Sequence, residues 1–143
     1  MSAFVDTSAL YAALVASENS HRDALSAFRE LLAEGRTLWV TSYVLLESIA
    51  LLQHRIGLAP VRDLDRHIVP LLSVEPVTRE LHRAGIERLI KADRRHLSLV
   101  DCVSFEFMRG RGLSDAFTLD RHFAEAGFRL IPPYSRSASR RPS

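Results

Sequence analysis

Cysteine is almost missing from this chain. Cys102 is the single thiol among 143 residues, so neither an intrachain disulfide framework nor a cysteine-rich zinc site can be built. Its plain reading is a small buried apolar residue on a helix. No glycine-rich turn follows the first apolar run, which removes the dinucleotide-binding fingerprint. Long hydrophobic runs are also lacking, and none approaches the roughly 18 residues that a membrane-crossing helix requires. The opening Met1-Ser2-Ala3-Phe4-Val5-Asp6 has no basic stretch and meets an acid at once, unlike a secretory signal. The expectation is a cytoplasmic protein without a membrane partner. Neither sign of charge dominates: 19 Lys and Arg stand against 17 Asp and Glu, for a formal net charge of +2. A sequence pI of about 9.1 permits a polyanionic partner without demanding one.

What is present is the composition of one globular domain, 47% hydrophobic and 25% charged, long enough to bury its own core. Short apolar runs at 3–5, 38–40, 73–75, 116–119 and 128–131 read as strands. Between them lie helical patterns. Residues 9–16 follow the cap Asp6-Thr7-Ser8. Ser20-His21-Arg22-Asp23 resembles a capping box ahead of the stripe Ala24, Leu25, Phe28, Leu31 and Leu32, which Gly35 stops. Thr41-Ser42 precedes a helix over 43–56. Pro60 opens another with Val61, Leu64, Ile68 and Leu71 inward. Thr78 caps a helix running to about residue 92, and Ser98 caps one over 99–109, ended by Gly110 and Gly112. Strands and helices alternate throughout, which predicts an α/β fold: a three-layer α/β/α sandwich around a mostly parallel sheet of about five strands. Trp39 lies in a strand and reads as core. The domain is expected to span 1–133. Residues 134–143, rich in Ser and Arg without periodicity, read as a disordered basic tail.

Acids stand where a parallel sheet binds ligands, beyond the carboxyl ends of its strands. Asp6 ends the first strand and Asp120 ends the strand at 116–119; each is equally readable as a helix cap or loop residue. Glu47 has Tyr43, Val44, Ala50 and Leu51 as its helical neighbours, so no local cation pairs with it. Ser48, His54 and Arg55 share its side of the wheel, and a solvated surface glutamate stays open. Asp101 is the fourth residue of Ser98-Leu99-Val100-Asp101, where a capping-box acid belongs. Asp115 starts its strand and therefore falls at the opposite edge of the sheet. Gathering Asp6, Glu47, Asp101 and Asp120 would be repulsive unless a divalent cation neutralised them. Oxygen ligands favour Mg²⁺ or Mn²⁺ over zinc.

These strings have a family look. Phe4-Val5-Asp6-Thr7-Ser8-Ala9-Leu10 resembles the opening strand and turn of PIN-domain nucleases. Leu99-Val100-Asp101-Cys102-Val103-Ser104-Phe105 is similar to that family's third acidic motif, and Ala116-Phe117-Thr118-Leu119-Asp120-Arg121-His122-Phe123 to its fourth. Glu47, in Thr41-Ser42-Tyr43-Val44-Leu45-Leu46-Glu47, matches the second. The resemblance covers residues 2 to about 132 and is nearest to the VapC toxins of toxin–antitoxin pairs. It implies an endoribonuclease dependent on Mg²⁺ or Mn²⁺, a homodimer, and a cognate antitoxin as partner. Carried over, Asp6, Glu47 and Asp101 become the principal metal-binding acids, Asp120 completes the site, and Ser8 and Ser104 orient ligands or water. Val100 stands where a threonine is common, and His122 where many members carry a further acid. Arg94, Arg95, His96, Arg121 and His122 are candidate RNA contacts, with Arg136, Arg140 and Arg141 adding salt-dependent attraction.

Two rival readings fail on single residues, and a non-catalytic one stays the serious alternative. A haloacid-dehalogenase-type phosphatase needs a second aspartate two positions after the first, where Ser8 stands. A receiver domain needs an aspartate closing its third strand, where Val74-Glu75-Pro76 stands. A non-catalytic PIN-like module binding RNA or a partner would have lost an acid, and all four are present. A PIN-type nuclease outside a toxin–antitoxin pair remains a neighbouring reading.

Overall fold

The apolar runs become five strands: β1 (Ser2–Val5), β2 (Thr37–Thr41), β3 (Ser73–Glu75), β4 (Asp115–Phe117) and β5 (Arg129–Ile131). The computed structural model describes residues 1–133; the tail expected at 134–143 lies outside them. One sheet runs β3-β2-β1-β4-β5, and every pairing is parallel. Ala3, Phe4 and Val5 are fully buried, as a central strand covered on both faces must be. Register then sorts the core. Phe4 lies beside Ala116 and Trp39, and Val5 beside Phe117. Because strand side chains alternate, Phe4 and Phe117 face opposite ways.

Helices cover both faces. Phe4 meets Phe107 of α6 (Leu99–Arg111) and Phe123 of α7 (His122–Glu125) on one face. Phe117 meets Phe28 of α2 (His21–Ala33) on the other. α1 (Thr7–Leu14) packs on α2, α5 (Arg79–Ala92) on α6, and α3 (Ser42–Arg55) touches both α1 and α6. Three layers result, as the alternation predicts. Trp39 is half-buried beside Phe107, with the Arg111 guanidinium 3.8 Å from its ring centroid, a packing role rather than a free stacking platform. Among the described residues no helix is long and apolar enough to cross a membrane.

Several expected boundaries move, each for a local reason. Ser20 makes no capping bond; its backbone (φ −91°, ψ 6°) is outside the extended region a cap requires. His21 Nδ1 lies 2.8 Å from the Ala12 carbonyl instead, tying the start of α2 to α1. After α4 (Leu58–Asp63), the chain widens into a π-turn at Leu64–Ile68 and tightens into a 3₁₀ turn at Val69–Leu71. The change of pitch breaks the heptad phase, so Leu64 is buried while Leu71, expected inward, is 48% exposed. α6 continues through Gly110 and stops at Gly112, whose φ of 68° forms the left-handed cap. β4 closes at Phe117, two residues earlier than the apolar run suggests. Asp120 therefore sits in the turn beyond the strand and not at its end.

One close approach holds the second helix pair. A Cβ on Gly85 would lie 3.2 and 3.3 Å from the backbone N and Cα of Val103 and would overlap its side chain. Backbone cannot rotate away. Gly85→Ala is expected to cost about 1–3 kcal/mol of stability through overpacking, despite the better helix propensity of alanine. Denaturant unfolding measures it, and an unchanged midpoint would show that α5 and α6 separate freely.

Candidate active site

Strand order creates the site. From β1 the chain moves outward to β2 and β3, then returns to lay β4 on the other side of β1. Connections leave β1 and β4 in opposite directions, and a crevice opens beyond their carboxyl ends. Asp6 is the first residue past β1. Its N–H donates to the Phe117 carbonyl at 3.0 Å, fixing it against β4, and it caps α1 by accepting from Ser8 N.

A clamp of two hydroxyls holds the Asp6 side chain. Ser8 Oγ and Thr118 Oγ1 each donate to Asp6 Oδ2 at 2.8 Å. Each hydroxyl is itself fixed by a backbone donor: Leu119 N–H to Ser8 Oγ at 2.9 Å and Asp120 N–H to Thr118 Oγ1 at 3.0 Å. With its one proton on Asp6, neither hydroxyl has another to give, so their mutual 3.1 Å approach reflects a shared acceptor. Among the described residues no hydrogen bond falls on Oδ1, which is left for a ligand.

The other acids arrive from three directions. Asp101 sits in the first turn of α6, where Ser98 N–H donates to its Oδ2 at 3.2 Å and Ser98 Oγ accepts from its N–H at 3.0 Å. The capping box and the inward carboxylate are thus one feature. Asp120 accepts the His122 N–H on Oδ1 at 2.9 Å. Glu47 projects from the second turn of α3, half-buried. Thr7 ties α1 to α3 through long contacts of 3.5 Å to the Val44 carbonyl and from the Ser48 hydroxyl.

Electrostatics show the crowding. Burial raises the Asp6 carboxyl from 3.8 to about 6, and the charges of Asp101 and Asp120 push the same way against the Ser8 and Thr118 hydrogen bonds. Burial also raises Glu47, with Asp6 and Asp120 adding to the effect and Thr7 opposing it. Asp101 is raised by burial, then by Asp120 and Glu47, with Ser98 opposing. Every pair among the four acids repels. Asp101, Asp120 and His122 can each offer one ligand atom, and these atoms lie within 4.8 Å of one another. Uncompensated negative charge and converging oxygens fit a divalent cation.

The remaining candidates are placed less centrally. Ser104 is buried and donates its proton to the Val100 carbonyl, one turn back, at 2.8 Å. Among the described residues it has no hydrogen bond to an acid, and its oxygen keeps acceptor capacity. Arg95, His96 and Arg121 are exposed, whereas Arg94 pairs with Glu125 at 3.1 Å. Asp115 lies at the opposite edge, bound by Arg36 and Arg129. Thr118 is not among the residues the motifs single out, although a hydroxyl two positions before Asp120 is a recognisable turn signal. Its loss should matter. Thr118→Val is expected to raise the metal concentration giving half-maximal activity by about tenfold, measured by Mn²⁺ titration, and an unchanged midpoint would show that the clamp is dispensable.

Residues 3–129 match the family profile described as PIN domain. The chain belongs to the PIN-domain family. Over 132 residues it is 35% identical to the 23S rRNA-specific endonuclease VapC20 of Mycobacterium tuberculosis, covering 91% of this chain and 98% of that protein. The crystal structure of VapC20, described as a sarcin–ricin loop cleaving toxin, superposes with a TM-score of 0.77 at 34% identity, covering 89% of this chain and 96% of that one. PAE2754 from Pyrobaculum aerophilum superposes at 0.63 with 18% identity, covering 92% and 90% of the two chains. FitAcB from Neisseria gonorrhoeae gives 0.63 with 15% identity, covering 89% and 94%. At those identities the last two speak for the fold alone. In this PIN domain, Asp6 after β1, Glu47 on α3, Asp101 on α6 and Asp120 in the turn after β4 all lie within the matched residues.

Proposed function

We propose that this PIN domain is a divalent-metal-dependent endoribonuclease, the toxin of a toxin–antitoxin pair. The observation that carries the reading is a set of four mutually repelling carboxylates about the topological switch point of the sheet, with ligand atoms of Asp101, Asp120 and His122 within 4.8 Å of one another. Asp6, Glu47, Asp101 and Asp120 would hold Mg²⁺ or Mn²⁺ there. A bound ion supplies Lewis acidity toward the phosphodiester and lowers the pKa of water. The chain does the rest. Ser8 and Thr118 hold one oxygen of Asp6 and leave the other facing the crevice. Ser98 fixes Asp101 in the same way. Glu47, made more basic by burial, can accept a proton from water at the open side. Arg95, Arg121 and, on release from Glu125, Arg94 would position phosphates.

Likeness to VapC20, named as a 23S rRNA-specific endonuclease, supports a structured ribosomal RNA loop as the substrate. It also supports an antitoxin partner. The homodimer, a cytoplasmic location, and the division into a nuclease domain at 1–133 with an appended basic segment at 134–143 belong to the same reading. The test is incubation of the purified chain with total RNA and with intact ribosomes, in Mn²⁺, in Mg²⁺ and in EDTA, with Asp101→Asn alongside. Cleavage lost with chelator and with the variant is the expected result, and fragment ends then identify the target. RNA binding without cleavage in any metal would favour a non-catalytic module.

A further inference from the structure

His122 is drawn into the acid cluster by its own backbone. Its N–H donates to Asp120 Oδ1 at 2.9 Å, and this two-residue turn brings the ring beside the carboxylate. Nδ1 lies 3.2 Å from the same Oδ1, yet it is not aligned for a hydrogen bond. Among the described residues this buried nitrogen has no hydrogen-bond partner at all. Two ligand atoms on an octahedral ion, each at about 2.1 Å and at right angles, stand about 3 Å apart. The Nδ1–Oδ1 spacing fits that edge, and the Asp101 carboxylate completes a group whose atoms lie within 4.8 Å of one another.

Resting on the metal-dependent reading above, we infer that His122 Nδ1 is a metal ligand, and that it makes the site prefer first-row transition ions such as Mn²⁺ over Mg²⁺. The chemistry follows from donor type. Mg²⁺ is satisfied by oxygen and gains little from imidazole, whereas affinity for nitrogen donors rises along the transition series. A carboxylate at 122 would hold either ion through oxygen. A histidine there substitutes a neutral nitrogen for an oxygen anion, which lowers the site's charge and penalises Mg²⁺ more than Mn²⁺.

Pulsed electron paramagnetic resonance of the Mn²⁺-loaded protein reads the bond directly, because a coordinated imidazole imprints ¹⁴N modulation on the Mn²⁺ signal. Wild type is expected to show that modulation, and His122→Ala and His122→Asp to lose it. Calorimetric titration is expected to show Mn²⁺ binding weakened about tenfold in His122→Ala, with Mg²⁺ binding nearly unchanged. His122→Asp is expected to bind Mg²⁺ more tightly than wild type. Thermal unfolding checks that both variants fold, and the aspartate variant serves if the alanine variant does not. Mn²⁺ binding without ¹⁴N modulation in wild type would overturn the inference and leave the carboxylate site standing, with His122 merely a charge partner of Asp120. Modulation that survives both substitutions would equally overturn it. Failure of Mn²⁺ to bind wild type at all would remove the metal-dependent reading and this inference together.

Discussion

Asp6→Asn is expected to abolish cleavage while raising the melting temperature of the metal-free protein. The catalytic loss should be on the order of 10³-fold, since removing one anionic ligand sacrifices several kcal/mol of transition-state stabilisation. The fold should be untouched. Both hydroxyl donors converge on Oδ2, and an amide oxygen placed there accepts the same two bonds. Stability rises because the wild-type carboxylate is held against its preference. Its pKa is about 6 when folded against an ordinary 3.8, so the folded state binds the proton more tightly than the unfolded one. Stability therefore falls as pH rises between those values, and the full penalty is present above the folded pKa. Two pH units correspond to about 3 kcal/mol at most. At pH 7.5 without metal the variant should melt above wild type. The difference should vanish below about pH 4, where the wild-type acid is protonated in both states. Saturating Mn²⁺ should close it from the other side, by stabilising wild type alone. Melting curves across pH, with and without Mn²⁺, decide the matter. A variant that melts below wild type at pH 7.5 without metal would show that burial and neighbouring charge do not hold this carboxylate against its ionised form.

Asp115→Ala, at the amino-terminal end of β4 and so at the opposite edge of the sheet, is expected to cost about 3–5 kcal/mol of stability, roughly 10–20 °C in melting temperature. Asp115 accepts from Arg129 Nε and Nη2 at 2.9 and 2.8 Å and also from Arg36. The Arg36 side chain is only 6% exposed, donates to the Ser2 carbonyl at 3.0 Å, and already leaves its Nε without a partner. Among the described residues, removing the carboxylate leaves that buried cation only the Ser2 carbonyl and a longer 3.7 Å approach to the exposed Glu34. Burial works to raise the Asp115 pKa, but the two arginines outweigh it and the net direction is down. Its contribution is therefore complete above the ordinary carboxylate pKa and is lost as pH falls through the lowered one, the reverse of Asp6. Cleavage per folded molecule should be unchanged at low temperature, because the residue lies beyond the length of the strand from the acids. Pairing Asp115→Leu with Arg36→Met should restore much of the loss. A single variant as stable as wild type would show that solvent reaches Arg36 freely.

The two aspartates of β4 and its following turn show how differently sequence speaks of like residues. Asp115 opens an apolar strand and Asp120 follows one, so direction along a parallel strand is enough to assign them to opposite edges. Ser98-Leu99-Val100-Asp101 likewise declares its capping box, and the box places the carboxylate in the first turn. Glu47 is different. Helical periodicity leaves it equally suited to solvent, and its raised pKa, caused first by burial and then by the charges of Asp6 and Asp120, depends on α3 packing against α1. Leu71 fails for a related reason: periodicity assumes a constant pitch, and the π-turn at Leu64–Ile68 breaks it.

By itself, then, the sequence determined the alternating strands and helices, the caps that begin α1 and α6, and the family to which four short motifs belong. These are properties of neighbours along the chain, set by side-chain periodicity and by the hydrogen-bonding needs of helix ends. Only the tertiary structure decided what those motifs do to one another. β4 lies beside β1 because the chain returns across the sheet, and that return brings Thr118 to Asp6 across 112 positions of sequence. It also turns the His122 ring toward Asp101 and Asp120. Repulsion among four carboxylates, the clamp on Asp6 and the unpartnered imidazole nitrogen depend on which groups the fold brings close in space, and no pattern in the linear order carries them.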